Sequence, residues 1–174
     1  MSNGPKKSDY SHLFVAIGGI AAGYLYSRSE LAESKKSRAE KDHPDLVEEV
    51  CEEVAELIDE WEPDEDCESE NEFTEDLASY IKENSELTIE VFPGTPEGKP
   101  DILIDNVLAL ELKVGLGKSE RDRLIGQCAG YSRKWVTWTV IIDASPSQLG
   151  SLSELLEDKG LEHILVWEFN EDGG

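Results

Sequence analysis

A short stretch of the chain that is rich in Ile, Leu and Val carries three charged residues outside its predicted turn: Asp101, Glu111 and Lys113. Runs rich in Ile, Leu and Val flank Asp105-Asn106, a pair that favours turns, so the stretch is predicted to form a β-hairpin. Burying unpaired charge is costly, so packing alone does not explain these side chains. Two carboxylates at the end of a hairpin could instead hold a hard divalent cation such as Mg²⁺, which prefers oxygen ligands and retains waters.

The length of the hairpin turn decides whether the two carboxylates can share a cation. A two-residue turn would put Asp101 and Glu111 on opposite faces of the sheet, because a shift of one residue in the strand pairing moves every side chain of a strand to the other face. A three-residue loop over 105–107 pairs Ile104 with Leu108 and puts both carboxylates on one face, together with the lysine two residues on. We therefore predict the three-residue loop, with an asparagine in the left-handed region that it tolerates.

A helix is predicted to follow the hairpin and to add a polar pair to the same region. Glycines after the second strand end it, and Ser119 is a suitable N-cap for a helix that continues to Lys134. Gln127 and Tyr131 lie four residues apart and therefore on one face of this helix. We expect Gln127 to turn toward the charged residues of the hairpin. The alternative for this pair is a packed helix face with one polar contact and one half-buried ring.

The order of these motifs resembles the PD-(D/E)XK nuclease superfamily, in its RecB-type variant with a Gln-x-x-x-Tyr helix. The matching residues are Pro100-Asp101 for the first half of the motif, Glu111-x-Lys113 for the second half, and Gln127-x-x-x-Tyr131 for the helix. The resemblance covers about residues 71–143. It implies an α/β fold with a restriction-endonuclease-like core, in the order α-β-β-β-α-β, whose central mixed sheet is flanked by helices. Extra helices are expected at the N-terminus.

The resemblance also implies a metal-dependent nuclease that hydrolyses phosphodiester bonds in DNA. The residues implied in catalysis are Asp101, Glu111, Lys113, Gln127 and Tyr131. The two carboxylates would hold Mg²⁺ or Mn²⁺, with the backbone carbonyl of Leu112 as a further ligand. The lysine would position or deprotonate the attacking water, or stabilise developing charge as a fixed cation. The glutamine and tyrosine would bond to the water or to a phosphate.

Two further groups of charged residues are candidates for the site. In the superfamily, the helix before the first core strand often contributes an acid, for which the candidates are Glu72, Glu75 and Asp76. Contacts to the phosphate backbone are expected from Lys118, Arg121 and Arg123. For every one of these residues, solvated surface charge is the alternative.

The overall charge counts against nucleic-acid binding at low ionic strength. The chain has 39 acidic and 16 basic residues and a formal net charge of −23. The stretch 99–134, which holds the motif, is the exception, with seven basic and five acidic residues. Such an acidic excess suggests a host with a high-salt cytoplasm, where the Debye length falls to about 3 Å at molar salt and self-repulsion largely vanishes. The three cysteines, Cys51, Cys67 and Cys128, fit neither a zinc-binding pattern nor a disulfide framework, which favours a reducing compartment.

The beginning of the chain divides into two segments. Residues 1–9 are polar, and we expect a disordered tail. Residues 10–27 carry no formal charge and are predicted to form one apolar helix. This stretch is marginal against the roughly 20 residues that span a bilayer, so a membrane anchor, a core or partner helix and a signal peptide all stay open. As an anchor, it would tether a cytoplasmic body to the inner face of the cell membrane.

The rest of the chain is divided by an acidic linker over 63–70. Before this linker, the region 28–62 is predicted to be helical and to contain an amphipathic helix that begins near Pro44. This helix is expected to pack either on the domain or on a second copy of the chain in a homo-oligomer. After the linker, 71–170 is predicted to form the nuclease-like domain. The alternative to a nuclease is a non-catalytic protein of the same fold that is tethered to a membrane or bound to a partner.

Overall fold

A mixed, open β-sheet of six strands forms the centre of the fold in the computed structural model, which describes residues 15–16, 32–161 and 164–169. The strands are β1 (Val15–Ala16), β2 (Ile89–Val91), β3 (Ile102–Ile104), β4 (Leu108–Val114), β5 (Val136–Ile142) and β6 (Leu165–Phe169). Their spatial order is β1-β6-β5-β4-β3-β2. The meander β2-β3-β4 is antiparallel, whereas β4, β5, β6 and β1 run parallel.

Helices cover both faces of the sheet. They are α1 (Arg38–Asp42), α2 (Pro44–Glu60), α3 (Glu70–Asn84), α4 (Lys118–Tyr131) and α5 (Pro146–Asp158), with a short 3₁₀ turn over Glu33–Lys35. One core cluster joins α2 and α3 to the sheet, and a second joins α4 and α5 to its other face. The fold is therefore α/β, with a mixed sheet between helices, as predicted. All seven residues of β5 are buried, as expected for a strand covered on both faces of a sheet.

Alternation along β4 sends successive side chains into different surroundings. Leu108, Leu110 and Leu112 join the core cluster on the side of α2 and α3. Ala109 belongs to a small cluster with Tyr131 of α4, on the opposite face. The two charged residues of β4, at positions 111 and 113, share that second face. β4 therefore presents both charged side chains on the face covered by α4, while its leucines pack into the core on the opposite face.

The hairpin has the register that a shared site requires. Ile104 pairs with Leu108, so three residues form the loop, and the prediction is confirmed. Asp105 and Asn106 both adopt left-handed backbone, with φ of 45° and 55°. The Asp105 carboxylate accepts a hydrogen bond of 2.9 Å from the backbone N–H of Thr88, which ties the loop to the segment before β2.

The N-terminal apolar segment departs from its predicted conformation at two residues. Val15 and Ala16 form β1, which pairs in parallel with Val166 and Trp167 of β6. The prediction of a continuous helix over 10–27 is therefore wrong at these two positions. The edge of β6 has backbone N–H and C=O groups that need partners, and a β-branched residue such as Val15 favours the extended conformation that supplies them. The remainder of 10–27 and the tail 1–9 lie outside the described residues. Within the described part, no helix is both long and apolar enough to cross a bilayer.

Helix α2 is an integral part of the core. Val54 and Ile58 are fully buried in the same cluster as the sheet, and Trp61 packs edge-on against Phe169 of β6 at a centroid distance of 5.0 Å. The predicted linker over 63–70 therefore joins two parts of one packed unit, which begins upstream of residue 71. Its residues connect α2 to α3 and do not separate two cores.

Two local details also differ from the sequence-based expectation. Helix α4 has Gly117 as its N-cap, without a side-chain cap, and it ends at Tyr131, before the expected Lys134. The Ser119 hydroxyl bonds to the neighbouring Glu120 carboxylate instead of capping the helix. The three cysteines are free, as expected, and two of them are buried.

Candidate functional site

The hairpin brings its three charged side chains together. The ammonium nitrogen of Lys113 lies 3.1 Å from Glu111 Oε1 and 4.0 Å from Asp101 Oδ2. Asp101 Oδ2 also accepts a hydrogen bond of 2.7 Å from the backbone N–H of Leu112. The lysine side chain is 2% exposed and that of Glu111 1%. The cluster is therefore a buried ionic network, whose geometry follows from the three-residue loop.

A fourth charged residue joins this network from a distant part of the chain. Glu70, the first residue of α3, places Oε1 2.9 Å from the ammonium of Lys113. This residue is not among the acids predicted from the helix, which are Glu72, Glu75 and Asp76. The signal that could have found it was the capping box: Ser69 accepts from the Glu72 N–H, and the Glu72 carboxylate accepts from the Ser69 N–H, which sets the helix start at position 70.

The three acids predicted from α3 lie elsewhere. Glu72 is occupied by the capping box, and its hydrogen bonds to backbone N–H groups lower the pKa of its carboxyl. Asp76 accepts a hydrogen bond of 2.9 Å from the indole N–H of Trp61. Glu75 is exposed to solvent. The structure therefore does not bring these three acids to the cluster, because the residue of the helix that reaches Lys113 is its first one.

The glutamine of α4 reaches the site, as expected. Gln127 donates a hydrogen bond from Nε2 to Glu111 Oε1. Tyr131, one turn later, is 3% exposed, and its ring forms part of the wall of an adjacent cleft. Burial raises the pKa of the Tyr131 hydroxyl to about 12, and Glu111 adds to the effect, so the phenol stays protonated as a donor.

The network holds more negative than positive charge. Glu70, Asp101 and Glu111 surround the single ammonium of Lys113, for a formal charge of −2 when all are ionised. Burial, together with the nearby Asp101, raises the pKa of Glu111 to about 7 against the opposing effect of Lys113. Burial likewise raises the pKa of Asp101. A second cation would relieve this excess charge.

The lysine remains charged in this environment. Burial alone would lower the pKa of Lys113, but Glu111, followed by Glu70 and Asp101, outweighs that effect and raises it. Its ammonium also donates to the backbone carbonyl of Leu112 at 2.5 Å. Lys113 therefore serves as the counter-ion of the cluster and holds the carboxylates together.

The cluster opens into a cleft of about 600 Å³. The lining residues are Glu70, Asn71, Phe92, Glu97, Gly98, Lys99, Asp101, Arg123, Gly126, Gln127 and Tyr131. One wall is the loop between β2 and β3, in which Thr95 and Gly98 form an isolated bridge. A 3.2 Å ion pair between Glu97 and Lys134 fastens this loop to the segment after α4. Glu70 and Asp101 thus face an accessible space that can admit a substrate, whereas Glu111 is buried and does not line it.

The basic residues predicted to contact phosphate are only partly placed at the cleft. Arg123 lines it, whereas Lys118 and Arg121 do not. Lys99 lines it as well and was missed, although it directly precedes the Pro100-Asp101 motif half. The cleft therefore carries two cationic side chains close to the acids.

The donor set fits a small divalent cation. In the described part of the chain, no cluster of three or more Asp, Glu, His or Cys side chains forms a ready ligand set. Mg²⁺, however, is usually bound through one or two carboxylates and keeps several waters. Among the described residues, Glu111 Oε2 is a buried oxygen without a hydrogen-bond partner. Asp101, Glu111 and the carbonyl of Leu112 are therefore suitable ligands, provided that the ammonium of Lys113 moves off that carbonyl.

Comparison of the chain with protein-family models, with curated proteins and with solved structures returned no match.

Proposed function

We propose that this protein is a divalent-metal-dependent nuclease that hydrolyses phosphodiester bonds in DNA, on a restriction-endonuclease-like core. The observation that carries the proposal is the buried cluster of Asp101, Glu111 and Lys113, held by Gln127 at the base of an open cleft. A purely structural network would favour balanced charge, whereas this one has two more acids than bases. That imbalance suits a site that takes up a cation.

The topology supports the same proposal. A helix, an antiparallel meander of three strands, a second helix and a parallel strand follow one another in α3, β2-β3-β4, α4 and β5. This is the α-β-β-β-α-β order that the sequence resemblance implies. The motif residues lie on β4 and directly before β3, and the Gln-x-x-x-Tyr pair lies on α4.

Each residue of the site has a defined task in this proposal. Asp101 and Glu111 would hold Mg²⁺ or Mn²⁺ with the Leu112 carbonyl. When bound, the cation supplies a water of lowered pKa and neutralises charge on the attacked phosphate. Gln127 fixes one oxygen of Glu111 and leaves the other available. Lys113 provides a fixed positive charge for the developing negative charge, and Glu70 keeps its ammonium in place.

From the acidic composition we infer that the proposed activity belongs to a high-salt cytoplasm. At molar salt, counterion release contributes little to DNA binding, so metal coordination and hydrogen bonds have to supply it. Tethering to the inner face of the membrane through 10–27 and assembly into a homo-oligomer stay predictions.

A cleavage assay tests the proposal. Purified full-length protein is incubated in molar KCl with single-stranded DNA, duplex DNA and RNA, each with Mg²⁺, Mn²⁺ or EDTA. The proposal expects DNA cleavage with either metal and none in EDTA. Cleavage in EDTA would contradict it. Absence of cleavage together with absence of Mn²⁺ binding in a calorimetric titration would instead favour the non-catalytic protein of the same fold.

A further inference from the structure

We propose that the cleft binds single-stranded DNA, with one base stacked on the ring of Phe92 and the adjacent phosphates next to Lys99 and Arg123. This inference rests on the proposed nuclease function and specifies its substrate class. It is carried by an aromatic ring, two cations and two acids of the cluster, Glu70 and Asp101, all of which line one cleft.

Phe92 is fixed beside the acids by its backbone. It directly follows β2, and its N–H donates a hydrogen bond of 2.8 Å to the carbonyl of Asp101. Its φ of 50° is unusual for a residue with a bulky side chain. Such conformations persist where the surrounding structure holds them, and they concentrate at functional sites. The ring is half-buried and faces the cleft.

The cations near the ring form a short basic footprint. The ammonium of Lys99 lies 5.4 Å from the centroid of the Phe92 ring, and Arg123 lines the same cleft. Lys134, a further cation nearby, is already paired with Glu97. Two cations can contact only a few phosphates, so this footprint suits a short tract of single strand.

The size of the cleft agrees with a nucleotide-sized occupant. Its volume of about 600 Å³ lies in the range of roughly 300–1,000 Å³ that is typical of small-ligand pockets. Proteins that bind single strands combine aromatic stacking with a short basic groove, and stacking tolerates high salt better than phosphate contacts do. Bases of a duplex, by contrast, are stacked on each other and cannot reach an aromatic ring inside a cleft.

Binding and stacking are measured separately from cleavage. The probe is a short single strand that contains 2-aminopurine, whose fluorescence is quenched by stacking, and a blunt duplex of the same sequence serves for comparison. Both are titrated with full-length protein in molar KCl and EDTA. The variants are Phe92→Leu, which removes the aromatic face, Phe92→Tyr, which restores one, and Val91→Ala, a control at a neighbouring exposed residue outside the cleft.

We expect the single strand to bind more tightly than the duplex, with quenching of 2-aminopurine. Phe92→Leu should weaken single-strand binding about 5- to 100-fold and abolish the quenching, since base stacking contributes on this scale. Phe92→Tyr and Val91→Ala should retain both. Equal binding of strand and duplex, or an unchanged Phe92→Leu variant, would overturn the inference. If Mg²⁺-dependent cleavage persists in either case, only the substrate class is wrong; without any cleavage, the nuclease proposal fails as well.

Discussion

Removing the ammonium of Lys113 should destabilise the protein strongly and make its stability dependent on divalent cations. The change is Lys113→Met, which keeps the apolar stem and deletes the charge. Three carboxylates at 2.9, 3.1 and 4.0 Å then lose their counter-ion in a site where the lysine is 2% exposed. Breaking a buried ion pair in this way costs about 3–5 kcal/mol. We expect a loss of about 3 kcal/mol in the free energy of unfolding at pH 8, in EDTA.

Protonation of Glu111 should moderate this loss. Its pKa is already about 7 with the lysine present and will be higher without it. Above pH 7, the folded variant therefore binds more protons than the folded wild type. The difference in stability should consequently shrink by about 1 kcal/mol between pH 8 and pH 7, since one proton corresponds to about 1.4 kcal/mol per pH unit.

A divalent cation should replace part of the missing charge. Mg²⁺ at about 100 times its dissociation constant would add about 2.7 kcal/mol to the variant. The assay is urea unfolding in molar KCl, followed by fluorescence of the buried tryptophans. The control is Lys134→Met, whose ion pair with Glu97 is about one-third exposed and should contribute at most about 1 kcal/mol. Equal losses in the two variants, or no stabilisation of Lys113→Met by Mg²⁺, would refute this account of the cluster.

Two further predictions concern the cleft wall and the titration of the cluster. Gly98→Ala should displace the Tyr131 ring and lower the cleavage rate about tenfold or more, because a Cβ there would lie 2.8 Å from Tyr131 Cε1 and the backbone φ is 136°. The control is Gly94→Ala, which lies in open space on the same loop and should cleave like the wild type. Equal cleavage rates for the two variants would contradict the role of this wall. Folding raises the pKa of Glu111 from 4.5 to about 7, so between these pH values the native state binds a proton that the unfolded state has lost. The protonated Glu111 therefore stabilises the fold fully below pH 4.5, and this stabilisation is lost as the pH rises through 7. Relative to Glu111→Gln, the wild type in EDTA should therefore lose about 3 kcal/mol over this window in urea unfolding, and parallel pH profiles would show that Glu111 is not perturbed.

Local rules were sufficient to predict the hairpin and its site. The turn residues Asp105 and Asn106 locate the hairpin, and the alternation along β4 and the four-residue spacing in α4 assign the faces. The three-residue loop is predicted because it puts both carboxylates on one face. The observed pairing of Ile104 with Leu108 and the bond from Gln127 to Glu111 agree with these predictions.

Contacts between distant segments could not be predicted in this way. Glu70 meets Lys113 across 43 positions, because the packing of α3 against the sheet determines where its N-terminus lies. Likewise, β1 pairs with β6 from the other end of the chain, and no periodicity within an apolar run reveals such a partner. The position of Phe92 depends on a backbone bond to Asp101 that is formed only when β2 joins the hairpin.

Mg²⁺-dependent cleavage by a matched pair of aspartate variants tests the central claim most directly. Asp101→Asn removes the carboxylate that faces the cluster, while an amide oxygen can still accept from the Leu112 N–H. Asp105→Asn makes the same chemical change in the loop of the same hairpin, away from the cleft. Initial rates on single-stranded DNA are measured against Mg²⁺ concentration for both variants and the wild type. The account predicts a loss of about a hundredfold or more for Asp101→Asn alone, with the fold retained. Wild-type rates in Asp101→Asn, or equal losses in both variants, would contradict it.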